Sequence, residues 1–151
     1  MSYLLAELNV AKLKYPVDDP RMKDFVDNLD IVNGMADASD GFVWRYVEDI
    51  NANAADQTFP SDIIANLSVW RDVQALRAFM ATEPHRPIMA RRQEWFHRMD
   101  TPHLVMWPVL PDQMPTLADA KARIELLERE GPTEDAFTWA WALGENGKIC
   151  A

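Results

Sequence analysis

The sequence predicts an α+β fold of the ferredoxin-like, split-βαβ type with an antiparallel sheet. Segments with a period of two residues and segments with a period of about 3.6 residues alternate in the order β-α-β-β-α-α-β-α-β. This order contains the β-α-β-β-α-β core of that fold. A length of 151 residues suits one compact domain, and no repeat or low-complexity block divides the chain. We therefore expect a single domain over residues 1–151, with a loosely ordered tail over residues 143–151.

The first strand is predicted over residues 3–13, and its two sides differ in polarity. One side is apolar throughout: Leu4, Ala6, Leu8 and Val10. The other side is mixed: Leu5, Glu7 and Asn9. A helix should follow, because Asp19 is a favourable N-cap and Pro20 suits the first helical position, and we expect it to end near Ala38.

The stretch NLSVWRDVQALRAF, residues 66–79, changes its period at Trp70. Apolar residues alternate before Trp70, which predicts a strand, and recur every three or four positions after it, which predicts a helix. The strand therefore places Asn66, Ser68 and Trp70 on one side. Its hairpin partner is predicted over residues 42–50, and residues 49–61 form a polar connecting loop.

The second half of the chain continues with a helix over residues 87–99, whose stripe carries Ile88, Arg92, Trp95 and Met99. A strand over residues 102–110 ends in a proline-containing segment. A last helix should begin at Thr116, in a capping-box spacing with Asp119, and stop at Gly131. Alternation in the tail predicts a fifth strand with these aromatic residues on one side: Phe137, Trp139 and Trp141.

Composition excludes several classes of partner and site. A net charge of −9 argues against binding to nucleic acid or to an anionic membrane surface. The single cysteine, Cys150, allows no intramolecular disulfide and no cysteine metal cluster. The N-terminal residues show no basic segment ahead of an apolar run, and no apolar run reaches the roughly 18 residues of a membrane span. We expect a cytoplasmic protein.

A second copy of the chain is the expected partner. A ferredoxin-like sheet carries helices on one face, yet the predicted strands have no generally polar face. The uncovered apolar face must then meet another surface, and a homodimer is the simplest solution.

Six blocks of the sequence together resemble the domain of unknown function 3291 family: LAELNVAKL, DDPRMKDFVDNLDIVNGMAD, GFVWR, NLSVWRDVQALRAF, HRPIMARRQEWF and GPTEDAFT. The resemblance covers roughly residues 4–138. It implies a dimeric α+β barrel, a superfamily that includes antibiotic-biosynthesis monooxygenases. In such dimers two sheets pack face to face.

The resemblance also implies a site. Cofactor-independent monooxygenases of the superfamily use an Asn and a Trp on a strand, in a pocket between sheet and helices, and Asn66 and Trp70 match them in spacing. Asn9 is similar in position to an Asn of haem-degrading relatives. Phe79 stands where those relatives often carry His, which argues against tightly bound haem, so no cofactor is expected.

The candidate catalytic residues are Asn66, Trp70, Arg92 and His85. Asn66 can hold a carbonyl or an oxyanion through its amide, and Trp70 offers a ring for stacking. Arg92 can bind a carboxylate or phenolate, form an ion pair with Glu7, or extend into solvent. His85 can act as a general acid or base. Both Asn66 and Ser68 can instead satisfy backbone groups beneath a helix.

The sequence contains no motif for a metal, a nucleotide or a nucleophilic serine: HxH, HExxH, GxGxxG and GxSxG are all absent. The resulting hypothesis is a monooxygenase- or isomerase-like enzyme acting on an aromatic or polycyclic metabolite. The alternative is a non-catalytic protein that binds an apolar small ligand in the same pocket.

Overall fold

The computed structural model describes residues 3–47, 58–82 and 85–144, with residues 85–89 described through their backbone alone. The strands are β1 (Leu4–Leu13), β2 (Phe42–Arg45), β3 (Ile63–Trp70), β4 (Phe96–His97) and β5 (Leu104–Val109). The helices are α1 (Lys23–Asp37), α2 (Val73–Met80), α3 (His85–Trp95), α4 (Leu117–Glu130) and α5 (Trp139–Leu143). A 3-10 turn over Pro20–Met22 precedes α1.

The five strands form one antiparallel sheet with β1 at its centre. β3 pairs with one edge of β1 and with β2 beyond it. On the other edge of β1, β5 pairs with Leu4–Asn9 and β4 with Lys12 and Leu13. The strand order β2-β3-β1-β5 is that of the split βαβ arrangement, so the predicted α+β, ferredoxin-like class typical of the dimeric α+β barrels is confirmed.

Side-chain caps fix where several helices start. Asp19 accepts a hydrogen bond from the backbone N–H of Arg21, and Asp72 accepts one from Ala75 at the start of α2. Thr116 and Asp119 form the predicted reciprocal capping box of α4. At the other end of α4, Gly131 adopts φ 74°, a left-handed conformation that a side chain disfavours, and the helix stops there as predicted.

The sheet has two faces of different character. The polar face, named for its polar residues, comprises these side chains of β1 and β3: Leu5, Glu7, Asn9, Asn66, Ser68 and Trp70. It lies against α1, α2 and α3. The apolar face comprises these buried residues of β1, β3 and β5: Ala6, Leu8, Leu67, Val69, Val105 and Trp107.

Helix α4 packs on the apolar face through Leu117, Ala120, Ile124 and Leu127. The prediction that helices cover one face only is therefore wrong. Periodicity predicts the apolar stripe of a helix but not the side of the sheet to which that stripe returns. Here the connection after β5 carries α4 to the side opposite α1 and α2.

The predicted fifth strand over residues 137–141 is also wrong. Phe137 pairs with Met106 as an isolated bridge, with reciprocal N–H to oxygen distances of 2.9 Å. The chain then turns into α5, because the Thr138 side chain accepts a hydrogen bond from the backbone N–H of Trp141 and caps the helix. Trp139 and Trp141 therefore belong to a helix.

Helix α3 ends at Trp95, four residues before the predicted end at Met99. Phe96 and His97 leave the helix to pair with Leu13 and Lys12 as β4. Met99 consequently packs near the apolar face rather than on the stripe that includes Arg92. Backbone pairing to β1 thus overrides a helical pattern that the sequence alone would extend.

Some predicted features extend beyond the described residues. Strand β2 ends at Arg45, and most of the predicted loop over residues 49–61 lies outside the described ranges. Cys150 and the rest of the predicted tail beyond Gly144 lie outside them too. Within the described part, no helix is long and apolar enough to cross a membrane.

Candidate functional site

A cavity of about 250 Å³ lies between the polar face and the helices α1, α2 and α3. Most of its wall is apolar, with contributions such as Phe25, Val32 and Leu76. Its polar side chains include the following: Glu7, Asn9, Arg45, Asn66, Ser68 and Arg92. The structure therefore brings three predicted site residues, Asn66, Trp70 and Arg92, to one cavity.

Strand register places the polar groups side by side. Glu7 on β1 lies directly opposite Ser68 on β3, and Asn9 lies directly opposite Asn66. Directly opposed side chains on one face of an antiparallel pair are close enough to interact. The register thus assembles a carboxyl, a hydroxyl and two amides on one patch of the cavity wall.

Glu7 is the ionisable group of this patch, and it is buried, with 4% of its surface exposed. Asn9 donates from Nδ2 to Glu7 Oε1 at 2.7 Å, and Ser68 donates from its hydroxyl to Oε2 at 3.3 Å. Burial raises the pKa of Glu7 to about 7, although these two hydrogen bonds act to lower it. Near neutral pH this carboxyl can therefore both accept and release a proton.

Trp70 fixes the orientation of the Ser68 hydroxyl. The indole Nε1, which can only donate, donates to Ser68 Oγ at 3.0 Å. The hydroxyl proton of Ser68 is then left to point at Glu7. The Trp70 ring is 1% exposed and stacks on Phe79 at 5.2 Å between centroids, so this ring is already packed within the wall.

Asn66 lies on the exposed side of the same patch. Its side chain makes no hydrogen bond to any residue that the structure describes. The alternative in which Asn66 satisfies a backbone group is therefore not found in this part of the chain. Its amide therefore has no partner among the described residues, and its role in holding a ligand oxygen stays a prediction.

Two arginines line the cavity, and only one of them forms an ion pair within the described residues. Arg45 is held by Asp37 through Nε at 2.8 Å, which lowers the pKa of Asp37. Arg92 forms no ion pair within the described residues, so the predicted alternative of a pair with Glu7 is not found. The neighbouring Arg91 behaves differently and binds Asp24 at 3.1 Å and Glu94 at 2.8 Å.

The predicted acid or base His85 is the first residue of α3, and its side chain lies outside the described part. Its role stays a prediction. His103, just before β5, does line the cavity. No cluster of three His, Cys, Asp or Glu side chains that could hold a metal occurs among the described residues.

Sequence reasoning missed Glu7 and Ser68 as groups that carry chemistry. The mixed side of the first strand is a signal, since it places the charged Glu7 beside Leu5 and Asn9 in an otherwise apolar strand. The register that sets Glu7 against Ser68 is not readable from periodicity alone.

Solved structures with a similar fold include two bacterial proteins. The NE2512 protein of unknown function from Nitrosomonas europaea matches with a TM-score of 0.52 and 14% identity, covering 76% of this chain and 96% of that one. SnoaB, a cofactor-independent oxygenase from Streptomyces nogalater, matches with a TM-score of 0.47 and 12% identity, covering 75% and 97%. At 14% identity, the likeness to the NE2512 protein concerns the fold alone.

No curated protein matches the chain. The family described as Domain of unknown function (DUF3291) matches residues 4–148, which is nearly the whole sequence. The chain therefore belongs to the domain of unknown function 3291 family.

Proposed function

We propose that the protein is a small-molecule enzyme, monooxygenase- or isomerase-like, that acts on an aromatic substrate by proton transfer at Glu7. One observation carries this proposal: the buried carboxyl of Glu7 lies in the wall of a cavity and is held there by Asn9 and Ser68. A titratable group with a strongly shifted pKa in a cleft is typical of an acid or base catalyst.

The chemistry follows from the neighbours of Glu7. The carboxylate removes a proton from a carbon next to a substrate carbonyl, and the C–H electron pair moves to the carbonyl oxygen as an enolate. The amide of Asn66 donates a hydrogen bond to that oxygen. Return of the proton from Glu7 to a different carbon completes an isomerisation. In the monooxygenase-like outcome, the enolate carbon forms a C–O bond to O₂ as co-reactant, and the resulting peroxide takes up the proton from Glu7. Removal of the second proton from the same carbon then breaks the O–O bond, releases water and leaves a new carbonyl.

The cavity volume restricts the substrate. A volume of about 250 Å³ lies just below the range of roughly 300–1,000 Å³ that is usual for small-molecule pockets. One ring or two fused rings suit this space better than the larger polycyclic metabolites considered from the sequence. We therefore narrow the proposed substrate to a compact aromatic ketone or a related carbon acid.

Deuterium exchange tests the proposal without knowledge of the natural substrate. The probe is β-tetralone, a two-ring carbon acid, dissolved in D₂O and followed by proton NMR. We expect the protein to accelerate exchange at the carbon beside the carbonyl, and Glu7→Gln to abolish the acceleration. Glu128→Gln is the control, because Glu128 is exposed on α4 and distant from the polar face.

Exchange that persists unchanged in Glu7→Gln would contradict proton transfer at this carboxyl. Binding of the probe with no exchange in the unmodified protein would favour the second candidate, a non-catalytic protein that binds an apolar ligand. The observation behind that candidate is the cavity wall itself, in which apolar side chains such as Phe25, Val32 and Leu76 predominate.

We also propose that the protein is a cytoplasmic homodimer. Beside the part of the apolar face that α4 covers lie three half-buried apolar residues, Trp44, Tyr46 and Ile63. Nearby on the edge of the sheet, Val43 is 42% and Val47 66% exposed. Light scattering should give twice the chain mass of 17.3 kDa, and the mass of one chain would contradict the dimer.

The net charge of −9 supports the cytoplasmic location.

A further inference from the structure

We propose that the ligand of the cavity is a compact aromatic carboxylate whose carboxylate group is bound by Arg92. This inference rests on the proposed function only in placing the ligand in the same cavity. It adds the charge of the ligand and the group that recognises it.

The charges of the cavity wall favour an anion. Its described ionisable residues are Glu7 on β1, Arg45 on β2, Arg92 on α3 and His103 before β5, whereas α1 and α2 contribute only neutral residues. Asp37 neutralises Arg45, and no carboxylate among the described residues neutralises Arg92. The wall therefore carries one exposed cation, Arg92, that has no ion-pair partner in the described part of a chain whose net charge is −9.

The contrast between Arg91 and Arg92 shows which guanidinium is free for a ligand. Arg91 is held by Asp24 and Glu94, and its guanidinium lies 4.8 Å from the centre of the Trp95 ring. Arg92, the next residue along α3, instead lines the cavity. A guanidinium presents parallel N–H donors that match both oxygens of a carboxylate.

Two further groups fit the remainder of such a ligand. The unbonded amide of Asn66 can donate to a carbonyl or hydroxyl oxygen of the ligand, while the apolar helices enclose the ring. Glu7 adds a dependence on pH, because an ionised carboxylate in the wall repels an anionic ligand. Since the pKa of Glu7 is about 7, affinity should fall as the pH rises through this value.

The experiment is a calorimetric titration with two probes of nearly equal shape, naphthoate and naphthamide. We expect naphthoate to bind about tenfold more tightly than naphthamide, because only the anion pairs with Arg92. Arg92→Gln should remove this preference, and Arg92→Lys should restore part of it. Arg91→Gln is the matched control on the same helix and should keep the preference.

Three results would overturn the proposal: equal affinities for the two probes, a preference that survives Arg92→Gln, or no binding of naphthoate at millimolar concentration. Naphthoate should also bind more weakly at about pH 8 than at about pH 6, and Glu7→Gln should reduce this difference. If the unmodified protein prefers naphthoate to naphthamide but does not accelerate deuterium exchange, only the proposed catalysis is contradicted. Intact exchange with no anion preference contradicts only the role of Arg92.

Discussion

The two faces of the sheet bury neighbouring residues of the same strands to a similar extent, but the interactions that accompany this burial differ. On β1, Leu8 is 0% exposed on the apolar face, and its neighbour Glu7 is 4% exposed on the polar face. Leu8 belongs to a cluster of apolar side chains, so its burial follows from packing alone. Glu7 is buried at an electrostatic cost that its hydrogen bonds only partly offset. A face that retains such a cost is a better candidate for function than one that packs without it.

The largest difference between the faces should appear when a side chain of the apolar face is shortened. Leu67 on β3 is 0% exposed and belongs to the same apolar cluster as the buried residues of α4. We expect Leu67→Ala to lower the free energy of unfolding by about 2–5 kcal/mol, because it removes transfer energy and leaves a cavity. Urea denaturation followed by circular dichroism measures this change. A decrease in the free energy of unfolding of less than about 1 kcal/mol would mean that α4 does not pack tightly on this face.

The next effect concerns Glu7 and depends on pH. The folded protein holds the Glu7 proton up to about pH 7, whereas an ordinary carboxyl releases it near pH 4.5. Between these values the folded state binds more protons than the unfolded state, so stability falls as the pH rises. The full shift corresponds to roughly 3 kcal/mol. We expect Glu7→Gln to remove this fall.

Thermal melts at a series of pH values from about 4 to 8 would measure the slope of stability against pH, both for the unmodified protein and for Glu7→Gln. The slope matters more than the absolute stability, because glutamine also changes the hydrogen bonds to Asn9 and Ser68. Parallel slopes in the two proteins would show that Glu7 has an ordinary pKa. Such a result would remove the main electrostatic difference between the faces.

A smaller effect is expected for the hydroxyl that joins Trp70 to Glu7. Ser68→Ala leaves the buried indole N–H of Trp70 without its acceptor, which should cost about 1–3 kcal/mol. It also removes one of the two hydrogen bonds that favour ionised Glu7, so the Glu7 pKa should rise further. Chemical denaturation measures the first change, and infrared titration of the carboxyl band measures the second. A lowered Glu7 pKa would contradict the assigned direction of the Ser68 hydroxyl.

The smallest effect should come from Asn66, next to Leu67 on β3 but on the polar face. Its side chain is exposed to the cavity, so Asn66→Ala should change stability by less than about 0.5 kcal/mol. A thermal melt beside Leu67→Ala compares adjacent residues on opposite faces. A loss of about 1–3 kcal/mol would show that Asn66 has a buried structural partner.

Local pattern predicted much of this organisation. Alternation along β3 correctly placed Asn66, Ser68 and Trp70 on one face, because side-chain direction in a strand depends only on sequence parity. Facts that depend on distant segments were not predictable in this way. The register of β1 against β3 pairs Glu7 with Ser68, and nothing near either residue in the sequence specifies it.

Ambiguous short segments account for other errors. Residues 137–141 place aromatic side chains at every second position, a spacing that fits a strand, but five residues are also enough for the helical turn of α5. Thr138 decides between them by capping the turn. In α3, pairing of Phe96 and His97 with β1 ends a helix whose pattern continues in the sequence.

The hydrogen bond from Trp70 to Ser68 has an optical consequence. The chain of bonds from indole to hydroxyl to carboxyl has a single direction, since the indole can only donate. Loss of the Glu7 proton places a negative charge one hydroxyl away from the indole N–H, and this charge changes the electric field at the Trp70 ring. The absorption and emission of Trp70 should shift as Glu7 titrates, so this protein contains its own spectroscopic reporter of the cavity.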